Sequence, residues 1–263
     1  MEFLHALKLQ GKVIAALTLR ETRSRYGSSK LGYFWALFEP FAHVMVFIGI
    51  FSALDRAPPI GQSTGLFILT GIIPWLLYSN IVSGVMGGLQ ANKALLGYPQ
   101  VMPMDISISR VILEFSALLL VFLFFLAVAK YLGLSIRIDS FLQMMSATGL
   151  LVLFAMGVGM INAALVAKYP SYKSIYSAIS RPLYFVSGVF FTADFLSPEV
   201  YDIVSINPLL HLIEWFRSGF YTSNNSNLYD PEYTIAVCLG FFAFGLVVER
   251  INSKKVRQVS SYD

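Results

Sequence analysis

A single cysteine, three histidines and few charges are what this chain of 263 residues has little of. Cys238 cannot form an internal disulfide and sits in an apolar run, where packing is its expected role. His5, His43 and His211 are too far apart in sequence to support a metal site, and no H-E-x-x-H occurs. No G-x-x-x-x-G-K-[ST] is present, which excludes ATP hydrolysis through a P-loop. No internal repeat is found, which weighs against a repeat-built secondary transporter. Charged residues make up 13% of the chain, about half the share in soluble domains. What fills the gap is apolar: 56% of residues are hydrophobic and 15% aromatic, with a mean hydropathy of +0.66. That is the composition of a membrane protein. The first residues read as an amphipathic helix, without the compact apolar core and small-residue cleavage site of a signal peptide.

A membrane span needs ~20 mostly apolar residues. Six stretches qualify, roughly 34–54, 66–88, 108–129, 141–166, 178–195 and 233–248. Arg181-Pro182 interrupts the start of the fifth. Of the 19 basic residues, placing the N-terminus inside leaves only Arg56, Lys130, Arg137 and Arg217 outside. The positive-inside bias therefore predicts an all-α membrane protein of six spans with both termini cytoplasmic. The division expected is 1–30 as an amphipathic interfacial helix and basic turn, 31–250 as the transmembrane domain and 251–263 as a cytoplasmic tail. The sizeable external segment, about 196–232, carries "PLLHLIEWFR", apolar at helical spacing. It reads either as a helix lying on or dipping into the outer membrane surface, or as a solvated helix packed on a neighbour. Asn224-Asn225-Ser226 fits a glycosylation sequon, a match common by chance. Gly84 and Gly88 form a G-x-x-x-G that would let helices approach closely, a weak signal in a glycine-rich span.

Charges inside the apolar runs are the unusual feature. Glu39 lies ~9 Å of helix beyond Tyr33, and an intramembrane carboxylate is costly. His43 follows at i+4 and is placed to share a hydrogen bond with it. Pro40 removes a helix bond and should bend the span. Two readings stay open: a bend with Glu39 bonded to a neighbouring helix, or a carboxylate facing a water-filled path. Arg110 with Glu114, and Arg181 beside Pro182, are expected to anchor to lipid by snorkelling. Too few deep carboxylates are present for a proton relay.

The stretch "LTLRETRSRYGSSKLGYFWALFEPFAH" resembles the start of the membrane subunits of bacterial capsule-polysaccharide ABC exporters, the KpsM-like family. Leu31, Gly32, Tyr33, Trp35, Ala36, Glu39 and Pro40 occupy that family's L-G-Y-x-W-A-x-x-E-P pattern. "ANKALLGYPQVMPMDISISR" looks like its first cytoplasmic loop, "RPLYF" like its fifth span opening and "NPLLHLIEWFR" like its external re-entrant segment. The likeness runs nearly end to end and departs only from about Lys254. O-antigen and teichoic-acid exporters share part of these motifs. Outside polymer export, a small-molecule ABC exporter and an ATP-independent carrier are the rival readings.

The resemblance implies a transport subunit that is not itself an enzyme. It would be a homodimer bearing two copies of a separate P-loop ATPase, with ATP and Mg on that partner and no cofactor in this chain. It implies export of a lipid-linked polysaccharide across the inner membrane, with a periplasmic co-polymerase-type protein and an outer-membrane polysaccharide channel. Docking of the ATPase is expected on Gln90, Asn92, Lys93, Leu95 and Tyr98, where composition alone would read an ordinary polar loop. The loop 168–176 and the N-terminal helix are secondary contacts. Flat sugar faces suit aromatic platforms, so a path lined by Tyr33, Trp35, Phe38 and Glu39 at the inner mouth is expected. Tyr184 and Phe190 would follow along the fifth span, with His211 and Trp215 near the outer mouth. For each aromatic, an interface belt is the competing role. Arg20, Arg23 and Arg25 would attract an acidic polymer or its phospholipid anchor, or simply set orientation at the membrane surface.

Overall fold

The computed structural model describes residues 2–26, 32–55, 57–222 and 229–259, with side chains in 6–24, 34–35, 38–55, 57–222 and 229–252. The side chains of Arg25 and Tyr33, and the Asn224 sequon, lie outside the described residues. The described elements, in order, are α1 (Glu2–Tyr26), α2 (Gly32–Ala53), α3 (Thr64–Ala91), α4 (Pro103–Tyr131) and α5 (Phe141–Lys168). Then come α6 (Tyr172–Val186), α7 (Pro198–Val204), α8 (Pro208–Phe220) and α9 (Pro231–Val259). Short 3-10 turns cover Lys93–Gly97 and Ala193–Phe195. No strand occurs among the described residues.

The sequence dictates the helix starts. Ser63 and Ser140 accept backbone N–H bonds from Leu66 and Gln143, and Asn207 does the same for Leu209. Asp230 accepts from the Tyr233 amide at 3.0 Å. Proline opens α4, α7, α8 and α9, where a missing N–H removes no helix bond. α2 runs through Pro40 and α6 through Pro182.

Among the described residues, four helices are long and apolar enough to cross a membrane: α3, α4, α5 and Pro231–Asn252 of α9. Phe38–Ala53 of α2 is a shorter apolar helix. The expected fifth span over 178–195 is not one helix. α6 begins at Tyr172 and stops at Val186, and 15 residues reach only ~22 Å against a ~30 Å hydrocarbon core. Ser187 hydroxyl turns back on the Leu183 carbonyl at 2.6 Å, and Gly188 takes φ +76°. Such a backbone suits glycine and ends the helix. At the other end of the chain, α9 continues past residue 250, the expected edge of the tail, to Val259.

α5 is the hub, packed on α3, α8 and α9, while α4 packs on α3 and α1 lies along α4. Apolar helices in lipid gain little by hiding apolar surface, so they associate through close fit and polar contacts. The closest fit joins α5 and α9. A Cβ on Gly157 would stand 2.5 Å from the Phe241 carbonyl oxygen, and one on Gly245 would stand 2.7 Å from that of Gly157. Gly84 and Gly88 face Arg110 and Ile106 of α4, the tighter being Gly88, where a Cβ would meet Ile106 at 3.2 Å. α8 is wedged among α3, α5 and α9, and apart from Trp215 every residue from Leu209 to Phe220 is buried.

Candidate functional site

Three groups of residues stand out, the first a cleft of about 500 Å³ between α3 and α6. From α3 it takes Trp75, Ser79, Ser83 and Met86, spaced four, four and three apart, which is one helix face. From α6 it takes Lys173, Tyr176, Ser177, Ser180, Arg181, Tyr184 and Phe185, again one continuous face. Trp75 and Tyr184 close its deep end with ring centroids 5.1 Å apart. The Tyr78 and Tyr176 hydroxyls stand 3.5 Å apart beside it. Aromatic faces, four serine hydroxyls and two cations line the walls, and no carboxylate does among the described residues.

An aromatic train extends from the cleft to α2. His43 Nε2 lies 2.8 Å from the Tyr184 hydroxyl, and the Phe190 ring centroid lies 4.5 Å from that of Phe47, tilted, and 5.1 Å from that of Tyr184, edge to face. The expected Glu39–His43 hydrogen bond is therefore not formed. His43 reaches across to α6, and Glu39 stays exposed without a hydrogen bond to a neighbouring helix among the described residues. Trp35 and Phe38 are exposed on α2, edge to face at 5.3 Å. Of the aromatics expected to share a path, Tyr184 and Phe190 meet, while Trp35 and Phe38 form a separate group with Phe34.

The second group surrounds α8. Arg217 is fully buried, and its guanidinium donates to the carbonyls of Gly188 (2.6 Å), Val189 (2.8 Å) and Phe191 (3.0 Å). Glu214 lies 3.4 Å away and the Phe67 ring 4.3 Å away. The turn that ends α6 leaves those carbonyls without helix partners, and the planar fork of arginine gathers three of them. Gly71 makes this possible, because a Cβ there would lie 2.4 Å from the Val189 oxygen and 2.6 Å from the guanidinium. Asn207 caps α8 and also donates to the Ser187 hydroxyl at 2.9 Å. His211 accepts the Asp230 amide on Nδ1 at 3.1 Å, so Nε2 carries the proton and donates to the Ser205 carbonyl at 2.7 Å. His211 is thus buried and occupied in joining α7, α8 and α9. Trp215 is half-buried and stacks on Tyr229 at 5.4 Å.

The third group ties α1 to the turn after α3. Arg110 pairs with Glu21 at 2.7 Å, and Asn92 donates to Glu21 at 2.8 Å and to the Gly88 carbonyl at 2.9 Å. Arg20 donates to Asn92 and Gln10 to Asp105. Leu17, Leu96 and Ile106 bury an apolar patch beneath. Two expectations change here. Arg110 is held by Glu21 rather than snorkelling to lipid, because α1 brings a carboxylate to it. Asn92 is buried and bonded within the chain, whereas Gln90, Lys93 and Tyr98 are exposed and Leu95 is half-buried. Arg20 and Arg23 are exposed. Arg181, expected at the lipid surface, lines the cleft. Ser79, Ser83 and Lys173 were not singled out by sequence, although the uninterrupted face from Lys173 to Phe185 carries the signal. Among the described residues no group of three or more His, Cys, Asp or Glu gathers as a metal site would require.

Residues 12–221 match the family model of the ABC-2 type transporter. The chain belongs to the ABC-2 type transporter family. In this ABC-2 chain the match runs from within α1 through α8 and takes in the whole cleft and most of the other two groups. Polysialic acid transport protein KpsM of Escherichia coli is 29% identical over 243 residues, covering 92% of this chain and 94% of that protein. Capsule polysaccharide export inner-membrane protein CtrC of Neisseria meningitidis serogroup B is 28% identical over 257 residues, covering 97% and 96%. Capsule polysaccharide export inner-membrane protein BexB of Haemophilus influenzae is 27% identical over 256 residues, with the same coverage.

Proposed function

We propose that this ABC-2 chain is the membrane subunit of an exporter that moves a lipid-linked capsular polysaccharide across the bacterial inner membrane, driven by ATP hydrolysis on a separate subunit. The observation that carries this reading is the near end-to-end likeness to proteins named for capsule polysaccharide export. The cleft supports it chemically, since aromatic faces with hydroxyls between them suit sugar rings. In this reading six segments cross the membrane. α2 and α6 join the four long helices, α6 being completed by its turn and by α8 re-entering from the outer side. Both termini are cytoplasmic, as the basic bias requires. The functional unit is a homodimer with two P-loop ATPase copies, which hold ATP and Mg. A co-polymerase-type protein and an outer-membrane channel continue the route.

The glycan would run along Trp35, Phe38 and Tyr33 of α2 and then along Tyr184 and Phe190. His211 serves the outer end by fixing α8, since its ring nitrogens are engaged within the chain. Disrupting this reading frame in its own host tests the proposal. Surface polysaccharide should vanish and accumulate inside, and the wild-type chain should restore it. A Trp35→Ala chain should insert normally and restore less. Normal surface polysaccharide in the disrupted strain would sink the export reading.

A further inference from the structure

We propose that the cleft between α3 and α6 is a binding site for an acidic group, a carboxylate or a phosphate ester, on a sugar-bearing ligand, with Lys173 and Arg181 as its counter-charges. The proposal rests on the export reading only for the sugar. The acid is inferred from the walls themselves. Lys173 and Arg181 stand two turns apart on one face of α6, about 12 Å along the axis. Their potentials add, and neither pairs with a carboxylate among the described residues.

Lys173 also sits in the first turn of α6, where the helix dipole disfavours a cation and no acidic residue is present. A cation kept against its local preference, beside Tyr176, Ser177 and Ser180, points to a charge it must meet. Simple positive bias at a membrane surface does not explain the direction. The face that carries both cations also carries Tyr184, which is buried against Trp75 and His43. Four serine hydroxyls supply hydrogen bonds to an oxyanion or a sugar hydroxyl, and they make the cleft unsuitable for an acyl chain. A volume of about 500 Å³ holds a short length of glycan with one or two acidic groups, not a coil of polymer.

Binding to the full chain purified with its ATPase tests this. The probes are a uronic-acid tetrasaccharide, its carboxyl-reduced neutral counterpart and dihexanoyl phosphatidic acid. The Lys173→Gln/Arg181→Gln chain should bind the acidic tetrasaccharide about tenfold more weakly, the combined effect of two partly exposed charge contacts. Raising salt should shrink that difference. Arg137→Gln, exposed at the far end of the bundle, should leave affinity unchanged. The neutral counterpart should bind both chains alike and weakly. If phosphatidic acid alone shows dependence on the pair, the sugar-bearing ligand is overturned and the two cations meet a lipid phosphate. If neither acidic probe depends on the pair, in a chain that still restores surface polysaccharide, the site is overturned while export stands. Pair-dependent binding in a chain that supports no export keeps the site and removes the export reading.

Discussion

Arg217 has no contact with solvent, yet oxygen surrounds its guanidinium: three carbonyls of the 188–191 turn and the Glu214 carboxylate. A charge this deep is tolerable because both terminal nitrogens have oxygen partners and the Phe67 face covers one side, although the buried Nε has no hydrogen-bond partner among the described residues. The residue thereby converts a broken helix into a fixed corner between α6 and α8. Replacing it with methionine would leave those carbonyls buried without donors and Glu214 without its cation. Arg217→Met should destabilise the protein by ~3–5 kcal/mol, read as a fall in detergent melting temperature on the order of 10 °C. Arg217→Lys keeps the charge but not the fork and should fall between the two. A methionine variant that melts like wild type would show that the turn holds itself.

At the scale of helices, the α5–α9 contact depends on two glycines meeting backbone to backbone. Gly157→Ala would drive a methyl into the Phe241 carbonyl, which cannot swing away as a side chain can, and should cost ~1–3 kcal/mol. Gly245→Ala should do the same, and the double variant should cost less than their sum, since either methyl alone opens the same gap. Gly87→Ala, with nothing within 4 Å, should be neutral or stabilising by ~1 kcal/mol. Additive losses in the double variant would argue against a shared contact. This pair was invisible in the sequence because 157 and 245 are far apart and only the fold joins them. Local signals were legible. The starts of α3, α5 and α8 follow from Ser63, Ser140 and Asn207, and α3, α4 and α5 enclose the expected second, third and fourth spans. The fifth was misplaced because hydropathy averages across Ser187-Gly188, whereas φ +76° at one residue ends a helix whatever follows.

For the whole molecule, the export reading proposed above has motion enter from an ATPase partner, and this chain has no P-loop of its own. The sequence proposes a receiving surface at 90–98 but could not divide it. Asn92 looks as polar as Lys93, and only burial shows that Asn92 faces inward to Glu21 and Gly88 while Lys93 and Tyr98 face outward. The division suggests how a push would travel. Force on the exposed Lys93–Gly97 turn reaches α3 directly, since Asn92 ends that helix, and reaches α1 and α4 through Glu21 and Arg110. α3 forms one wall of the cleft, so the proposed docking turn adjoins the 28-residue helix that carries this wall, opposite the cations of α6. Lys93→Glu should therefore reduce ATPase co-purification roughly tenfold, as a reversed contact charge does, without lowering the chain's own melting temperature. Asn92→Ala should have the opposite signature, retaining the surface but loosening α1 and lowering that temperature. Lys130→Glu, exposed at the other end of α4, should change neither. Undiminished ATPase recovery with Lys93→Glu would move the docking surface elsewhere, with the exposed residues of 168–173 next to be tested.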